Sequence, residues 1–343
     1  MDFRLSDEQA MLKESVERFV SGEAGFDHAR RGFAPAQWRT MAELGWLMLL
    51  IPEEHGGLGG SAIDAALIAE GLGRGPVISP YISTAVIAAR LLAQADAPRA
   101  DLLAAIGAGE AIVALASEEN ASHYDLAAVT AKAKPAGDGF ALRGEKIAVQ
   151  DGAIASHFLV TALLNGKVAL FLVEADAPQV GIRRYRMIDH SPACDLALND
   201  SPAALVIADA EAALQRAVDE ARVLLAAETL GGMETAVSIT ADYLKTRKQF
   251  GRTLSSFQTL THRIADMYVR CEQLRSVLLR ALSLLDAEPA ARAAAASAAM
   301  ITAIDAGEFV CGQAIQLHGG IGMTEEYIVG HFYKRVRAIG RLY

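Results

Sequence analysis

From about residue 211 to the end of the chain, apolar residues recur at helical spacing in four stretches, 211–247, 256–286, 289–316 and 325–342. This limits the possible folds more than any other feature of the sequence. Three of the stretches are long, rich in Ala and Leu, and separated only by Gly251, by Glu288-Pro289 and by Gly319-Gly320. Long helices with short connections pack as antiparallel neighbours, so the C-terminal part reads as a four-helix bundle. The apolar fraction is 52%, yet no run reaches the roughly 18 consecutive apolar residues of a bilayer span. The Ala and Leu content is therefore assigned to packed helices, and no membrane span is expected.

Two other textures precede the bundle. Ser6 followed by Gln9 spells a capping box, and helices are expected to follow it and over 35–44, 63–72, 81–92 and 97–108. The glycine-rich run Pro52-Glu53-Glu54-His55-Gly56-Gly57-Leu58-Gly59-Gly60 either cradles a phosphate or turns the chain, and turning is the better reading. Between about 113 and 210 the segments become short and richer in β-branched residues, at 140–149, 158–164, 168–174, 182–185 and 204–207. Asn165-Gly166 is a two-residue hairpin signal. The expected organisation is mainly α: an N-terminal helical domain over 1–112, a small antiparallel β middle domain over 113–210, and the helical bundle over 211–343.

The 41 Asp and Glu against 32 Lys and Arg leave a net charge of −9, which argues against a general nucleic-acid binder. One basic cluster stands out: Lys245, Arg247 and Lys248, with Arg252 close by. It is either a solvated helix end or a phosphate pocket, and its neighbours favour the pocket. Cys194, Cys271 and Cys311 are far apart and lack metal-ligand spacing, so they read as reduced core thiols. The eight histidines show no zinc-like pairing, and no metal is expected. Residues 1–7 lack the basic and apolar regions of a secretory signal, so a cytoplasmic protein is the default expectation.

Two segments carry more specific information, Arg247-Lys248-Gln249-Phe250-Gly251-Arg252 and Gln316-Leu317-His318-Gly319-Gly320-Ile321-Gly322-Met323-Thr324-Glu325-Glu326. In this order, at this spacing and inside Ala-rich helices, they resemble the C-terminal half of the acyl-CoA dehydrogenases. The succession of helices, β-domain and bundle is similar to that family along nearly the whole chain. The resemblance implies FAD as cofactor. It places Arg247 on the FAD diphosphate, where a planar guanidinium fork suits bidentate contact. It also implies Phe250 near the adenosine and Gln249 among the cofactor-binding residues, with Gln258 as a further contact. Gln316, Gly319 and Gly320 form a turn that in the family meets the FAD of a neighbouring subunit, and His318 is read as packing.

The resemblance also shows departures. Where the family has a Thr-Glu-Pro segment holding the isoalloxazine, this chain has Ser117-Glu118-Glu119-Asn120-Ala121-Ser122-His123-Tyr124-Asp125. Where it has a Trp-Ile-Thr turn covering one flavin face, Ala148 stands at the aromatic position within Gly144-Glu145-Lys146-Ile147-Ala148-Val149-Gln150-Asp151-Gly152. The usual catalytic Glu falls on Tyr343. The alternative position on the first bundle helix is Ala221, with Glu220 one residue away and so rotated by about 100°. Glu220 is the nearest candidate base, and Glu228 and Glu234 match neither pattern.

This combination resembles the shorter, diverged subunits of two-component acyl-CoA dehydrogenases that act on dicarboxylic, steroid side-chain or similarly bulky acyl thioesters. The resemblance implies α,β-dehydrogenation of an acyl-CoA, a homo- or hetero-tetramer with a related larger subunit, and electron-transfer flavoprotein as acceptor. Three alternatives stay open at this stage. They are a homo-oligomeric enzyme using Glu220, a non-catalytic partner without flavin, and a flavin oxidase or monooxygenase on the same scaffold.

Overall fold

In a computed structural model, residues 4–22, 30–97 and 99–343 are described. Residues 1–3 of the N-terminal reading and residue 98 of the expected 97–108 helix lie outside them. Contacts divide the chain into two compact units, one of Met1–Gly32, Ala62–Ile78 and Arg222–Leu342, the other of Phe33–Ser61 and Ser79–Ala221 with Tyr343. Helix α6 (Glu211–Thr246) starts in the second and continues in the first.

The first unit is helical. Helix α1 (Asp7–Gly22) opens with the expected capping box: Gln9 N–H donates to Ser6 Oγ at 3.2 Å and Ser6 N–H to Gln9 Oε1 at 3.1 Å. The Gln9 amide also donates to Asp64 at 2.9 Å, tying α1 to helix α3 (Ala62–Arg74). The bundle is completed by α6, α7 (Gln258–Ser283), α8 (Pro289–His318) and α9 (Val329–Ile339). Taken with the 3₁₀ turn after it, α8 is apolar enough to cross a bilayer by composition, but half of its apolar window is buried inside the chain, as in a core helix.

Helices α3 and α6 meet backbone to backbone. A Cβ on Gly73 would lie 1.9 Å from the Glu228 carbonyl oxygen, and one on Gly231 would lie 1.9 Å from that of Glu70. Only glycine allows such an approach. Two ionic clusters bracket the crossing. Arg74 reaches Glu70 at 2.8 Å and Glu234 at 2.6 Å, and Arg275 also engages Glu234. Buried Glu228 is gripped by Arg335 at 2.6 and 3.2 Å. Glu228 and Glu234 are thus consumed by structural pairs.

The second unit holds helices α2 (Pro35–Glu43), α4 (Tyr81–Ala93) and α5 (Ala100–Gly107), and a seven-stranded sheet. The strands are β1 (Val113–Ala116), β2 (Lys132–Ala136), β3 (Gly139–Gln150), β4 (His157–Leu164), β5 (Lys167–Glu174), β6 (Val180–Arg186) and β7 (Pro192–Ile207). Their pairings close into a ring, β4–β2–β3–β7–β5–β4, with β1 on β4 and β6 on β7. The ladders are antiparallel except around β4, which runs parallel to β1 and β2. Asn165 (φ +52°) and Gly166 (φ +83°) form the expected tight hairpin between β4 and β5.

The first part of α4, Tyr81–Ala88, winds with π geometry and is buried throughout. Thr84 Oγ1 bridges both the N–H and the C=O of Val113 at 3.1 and 3.0 Å, so α4 fixes β1. The glycine-rich run folds on itself: Gly57, Gly59 and Gly60 donate to Pro52, Ile51 and Leu49. It turns the chain, as expected. All three cysteines are free and buried, and burial pushes the Cys194 and Cys271 thiols up to about 12.

Candidate cofactor site

The residues expected to meet a dinucleotide cluster in the helical unit. Arg247 follows the last residue of α6, and the chain then makes a minimal hairpin of β8 (Lys248–Gln249) and β9 (Arg252–Thr253). Its two turn residues, Phe250 (φ +55°) and Gly251 (φ +77°), are both left-handed. For Gly251 this is ordinary, but for an aromatic residue it is an uncommon cost. The Phe250 ring is 88% exposed, edge-on to Phe257 at 6.1 Å, and Arg252 stacks on Phe257 at 3.9 Å. Gln258, exposed, is the first residue of α7.

The glycine turn lies beside this hairpin's root. The hydroxyl of Tyr243, one turn before Arg247, donates to the His318 carbonyl at 3.4 Å, and the two rings stack at 4.4 Å. Gly319 ends α8 at φ +64°, ψ −139°, which residues with a Cβ rarely adopt. No atom lies within 4 Å of where a Cβ would stand on Gly319 or Gly320, so the turn offers bare backbone to solvent. Gln316 is exposed on the last turn of α8.

The donor set fits a dinucleotide. Arg247 is exposed, and no carboxylate forms an ion pair with it among the described residues. The amides of Gln249, Gln258 and Gln316 are exposed, the turn backbone is open, and Phe250 gives an apolar face. Together they supply charge for phosphates, amides for polar edges and a ring for a base.

His318 anchors this arrangement from below. It is buried, its Nδ1–H donates to Ala314 O at 2.8 Å, and its Nε2 accepts from the Tyr327 hydroxyl at 3.2 Å. The Ala314 carbonyl fixes the proton on Nδ1, and burial holds the ring's pKa below the ordinary 6.5. A base with a depressed folded pKa binds fewer protons folded than unfolded. Its contribution to stability is therefore complete above about pH 6.5 and is lost as pH falls below it. In urea titrations over a pH series, His318→Phe is expected to flatten the loss of unfolding free energy below about pH 6.5. An unchanged slope would mean that another group carries it.

In the second unit the two divergent stretches lie side by side, since Ile147 N–H donates to Glu118 O at 2.9 Å. A cleft of ≈ 510 Å³ opens along them, lined by Asn120, Lys146, Ile147, Arg183 and Asp195 among others. Glu119, within the first of these stretches, turns inward. Its carboxylate accepts from Lys146 Nζ at 2.7 Å, Thr130 N–H at 2.8 Å and Ala131 N–H at 3.1 Å. Lys146 is wholly buried and also donates to Thr161 at 2.8 Å. Sequence reading did not find this pair, since nothing local links the two residues.

Glu220 lies in this second unit. It is buried, and Arg90 holds both its oxygens, Nε to Oε2 at 3.1 Å and Nη2 to Oε1 at 3.0 Å, while Arg90 Nη1 reaches Leu50 O at 3.3 Å. Both oxygens of Glu220 are thus committed to the Arg90 guanidinium. Tyr343 donates its hydroxyl to Gln150 Oε1 at 3.4 Å, and burial pushes the phenol strongly up.

The chain matches the models of three acyl-CoA dehydrogenase domains: the N-terminal over residues 6–110, the middle over 114–201 and the C-terminal over 211–340. It is 30% identical to acyl-CoA dehydrogenase IpdE2 of Mycobacterium tuberculosis, over 98% of this chain and 93% of that protein. The solved Tcur3481-Tcur3483 steroid ACAD G363A variant superposes with a TM-score of 0.88 at 32% identity, covering 97% of this chain and 92% of the other. The ChsE4-ChsE5 complex from Mycobacterium tuberculosis matches with a TM-score of 0.88 at 25% identity, covering 99% and 94%.

Proposed function

We infer that this chain, which belongs to the acyl-CoA dehydrogenase family, takes part in α,β-dehydrogenation of an acyl-CoA thioester as the smaller subunit of a hetero-oligomer, lending half of a shared FAD site. The observation that carries the reading is the exposed Arg247–Phe250 hairpin beside the open Gly319-Gly320 turn, in a chain that has Ala221 and Tyr343 where the resemblance expects a base. A bound flavin would supply the acceptor for hydride leaving the β-carbon.

The chain's own residues bind and orient. Arg247 would grip the diphosphate with its guanidinium fork, Gln249, Gln258 and Gln316 would meet polar edges, Phe250 would cover the adenosine, and the glycine turn would bring backbone close. The α-proton is a different matter. Ala221 has no basic atom, the Tyr343 phenol stays protonated at neutral pH, and both Glu220 oxygens are occupied by Arg90. The related larger subunit would then carry the base, and electron-transfer flavoprotein would collect the electrons. Two solved relatives, the Tcur3481-Tcur3483 and ChsE4-ChsE5 structures, each pair two different proteins, and the first is named a steroid ACAD. A bulky, steroid-like acyl chain is the substrate class this favours.

The test is the visible spectrum of the purified chain, alone and mixed with the larger homologue, before and after anaerobic addition of acyl-CoAs. A flavin band that bleaches only in the mixture supports the reading. Bleaching by the chain alone would overturn the assignment of the base to a partner, and no flavin in either sample would overturn the cofactor site.

A further inference from the structure

Three faces in the helical unit converge without closing on one another. Leu5, Gln9 and Lys13 recur every four residues along α1 and its lead-in, Ile63 and Leu67 along α3, and Leu278 and Leu282 along α7, so each set shares one side of its helix. Between them lies a cavity of ≈ 430 Å³, lined only by residues of this unit. Packed helices normally leave few voids larger than a water molecule. A gap of this size, with apolar walls and a few polar groups, has the dimensions of a small-molecule site.

The polar groups on its wall are spent, with one exception. The Gln9 amide donates to Asp64 at 2.9 Å, Glu70 is paired with Arg74 at 2.8 Å, and Arg275 engages Glu234. Ser283 Oγ donates to the Arg280 carbonyl at 2.8 Å, and Arg4 at the rim is also engaged. Lys13 is half-buried and makes no hydrogen bond or ion pair among the described residues. Three cations, Arg4, Lys13 and Arg275, thus face the single carboxylate of Glu70, in a chain whose net charge is −9. A lysine stem often lies over apolar surface and shields it from water. Here it does not close the mouth, because Leu5, Ile63 and Leu279 remain 40%, 45% and 36% exposed.

The walls select an occupant with an apolar body and one anionic end. A compact ammonium suits a single carboxylate, whereas the phosphates of an acyl-CoA would need several uncommitted cations. We propose that this cavity is a second small-molecule site, taking an apolar carboxylic acid as its anion. The hydrocarbon lies against Ile63, Leu67, Leu278 and Leu282, and the carboxylate meets Lys13. The site stands apart from the FAD reading and does not depend on it.

Calorimetric titration of the full-length chain with decanoate and with decanol, both kept below their aggregation limits, tests this. One decanoate per chain is expected, bound about tenfold more tightly than decanol, as a hydrogen bond to a charged group implies. Lys13→Met keeps the stem and loses the charge, so it should bring decanoate down to the affinity of decanol and leave decanol unchanged. Leu279→Glu, at an exposed position, sets a like charge at the mouth and should abolish decanoate binding. The thermal midpoint of each ligand-free variant reports its folding, and Lys13→Met decides the matter alone if Leu279→Glu does not fold. Equal affinity for decanoate and decanol in the wild-type chain, wild-type decanoate affinity in Lys13→Met, or no binding of decanoate would each overturn the inference.

Discussion

Lys146→Met is expected to lower the unfolding free energy by about 3–5 kcal/mol, the cost of leaving one member of a buried ion pair without its partner. Lys146 is wholly buried, and its ammonium has three acceptors: Glu119 at 2.7 Å, Thr161 at 2.8 Å and Ser117 O at 3.3 Å. Removing it strands Glu119, which would keep only its bonds to Thr130 and to the Ala131 amide. The double variant Lys146→Met/Glu119→Leu should cost less than the two single changes added together, because the stranded charge is gone. Urea unfolding of the four proteins measures this directly. Strict additivity would show that the pair is not coupled. The pair also carries a pH signature. Burial would raise the Glu119 carboxyl, but Lys146, Thr130 and the Ala131 amide hold it below the ordinary 4.5. Its contribution is therefore present above about pH 4.5 and fades as pH falls further.

Arg247→Met is expected to weaken FAD binding by roughly 10- to 150-fold, from the loss of charged hydrogen bonds worth about 1.5–3 kcal/mol. Arg247→Lys should recover only part of this, since an ammonium cannot reproduce the planar two-pronged contact. The guanidinium is exposed and has no ion pair among the described residues, so neither change should shift the thermal midpoint of the flavin-free chain appreciably. Fluorescence titration with FAD reads the first effect and calorimetry the second. Unchanged affinity in Arg247→Met would remove this hairpin from the cofactor site.

Much of the fold was legible because its signals are local. Ser6 and Gln9 cap one another across three residues, and Asn165-Gly166 turns a hairpin from its own backbone preference. The bundle helices announce themselves by period and by their Gly and Pro breaks. Three strands were less visible. Strand β1, Val113–Ala116, is a four-residue apolar run that suits a helix as well as a strand. Strand β2, Lys132–Ala136, is Lys-Ala-Lys-Pro-Ala and mostly exposed. Of β7, Pro192–Ile207, only 204–207 reads as a strand, because Asn199, Asp200, Ser201 and Pro202 break its pattern.

The site divides in the same way. The Arg247–Arg252 segment and the glycine turn are each contiguous in sequence and could be singled out from it, although the β8–β9 hairpin itself was not foreseen. The ion pairs that occupy Glu119, Glu220 and Glu228 could not. Lys146 and Glu119 are 27 residues apart, Glu228 and Arg335 are 107 apart, and Arg90 and Glu220 are 130 apart. Glu220 seemed available as a base only while Arg90 was unplaced.

The glycine crossing of α3 and α6 restricts how the helical unit can move. Packed helices usually yield by shear, sliding 1–2 Å along one another while side chains change rotamer. Sliding α3 by one residue would advance it about 1.5 Å and turn it about 100°, bringing Leu72 or Arg74 to the place of Gly73. The gap at that place is 1.9 Å to a backbone oxygen, and no rotamer clears it. A change of register between α3 and α6 is therefore blocked, and the crossing is a fixed point within this unit.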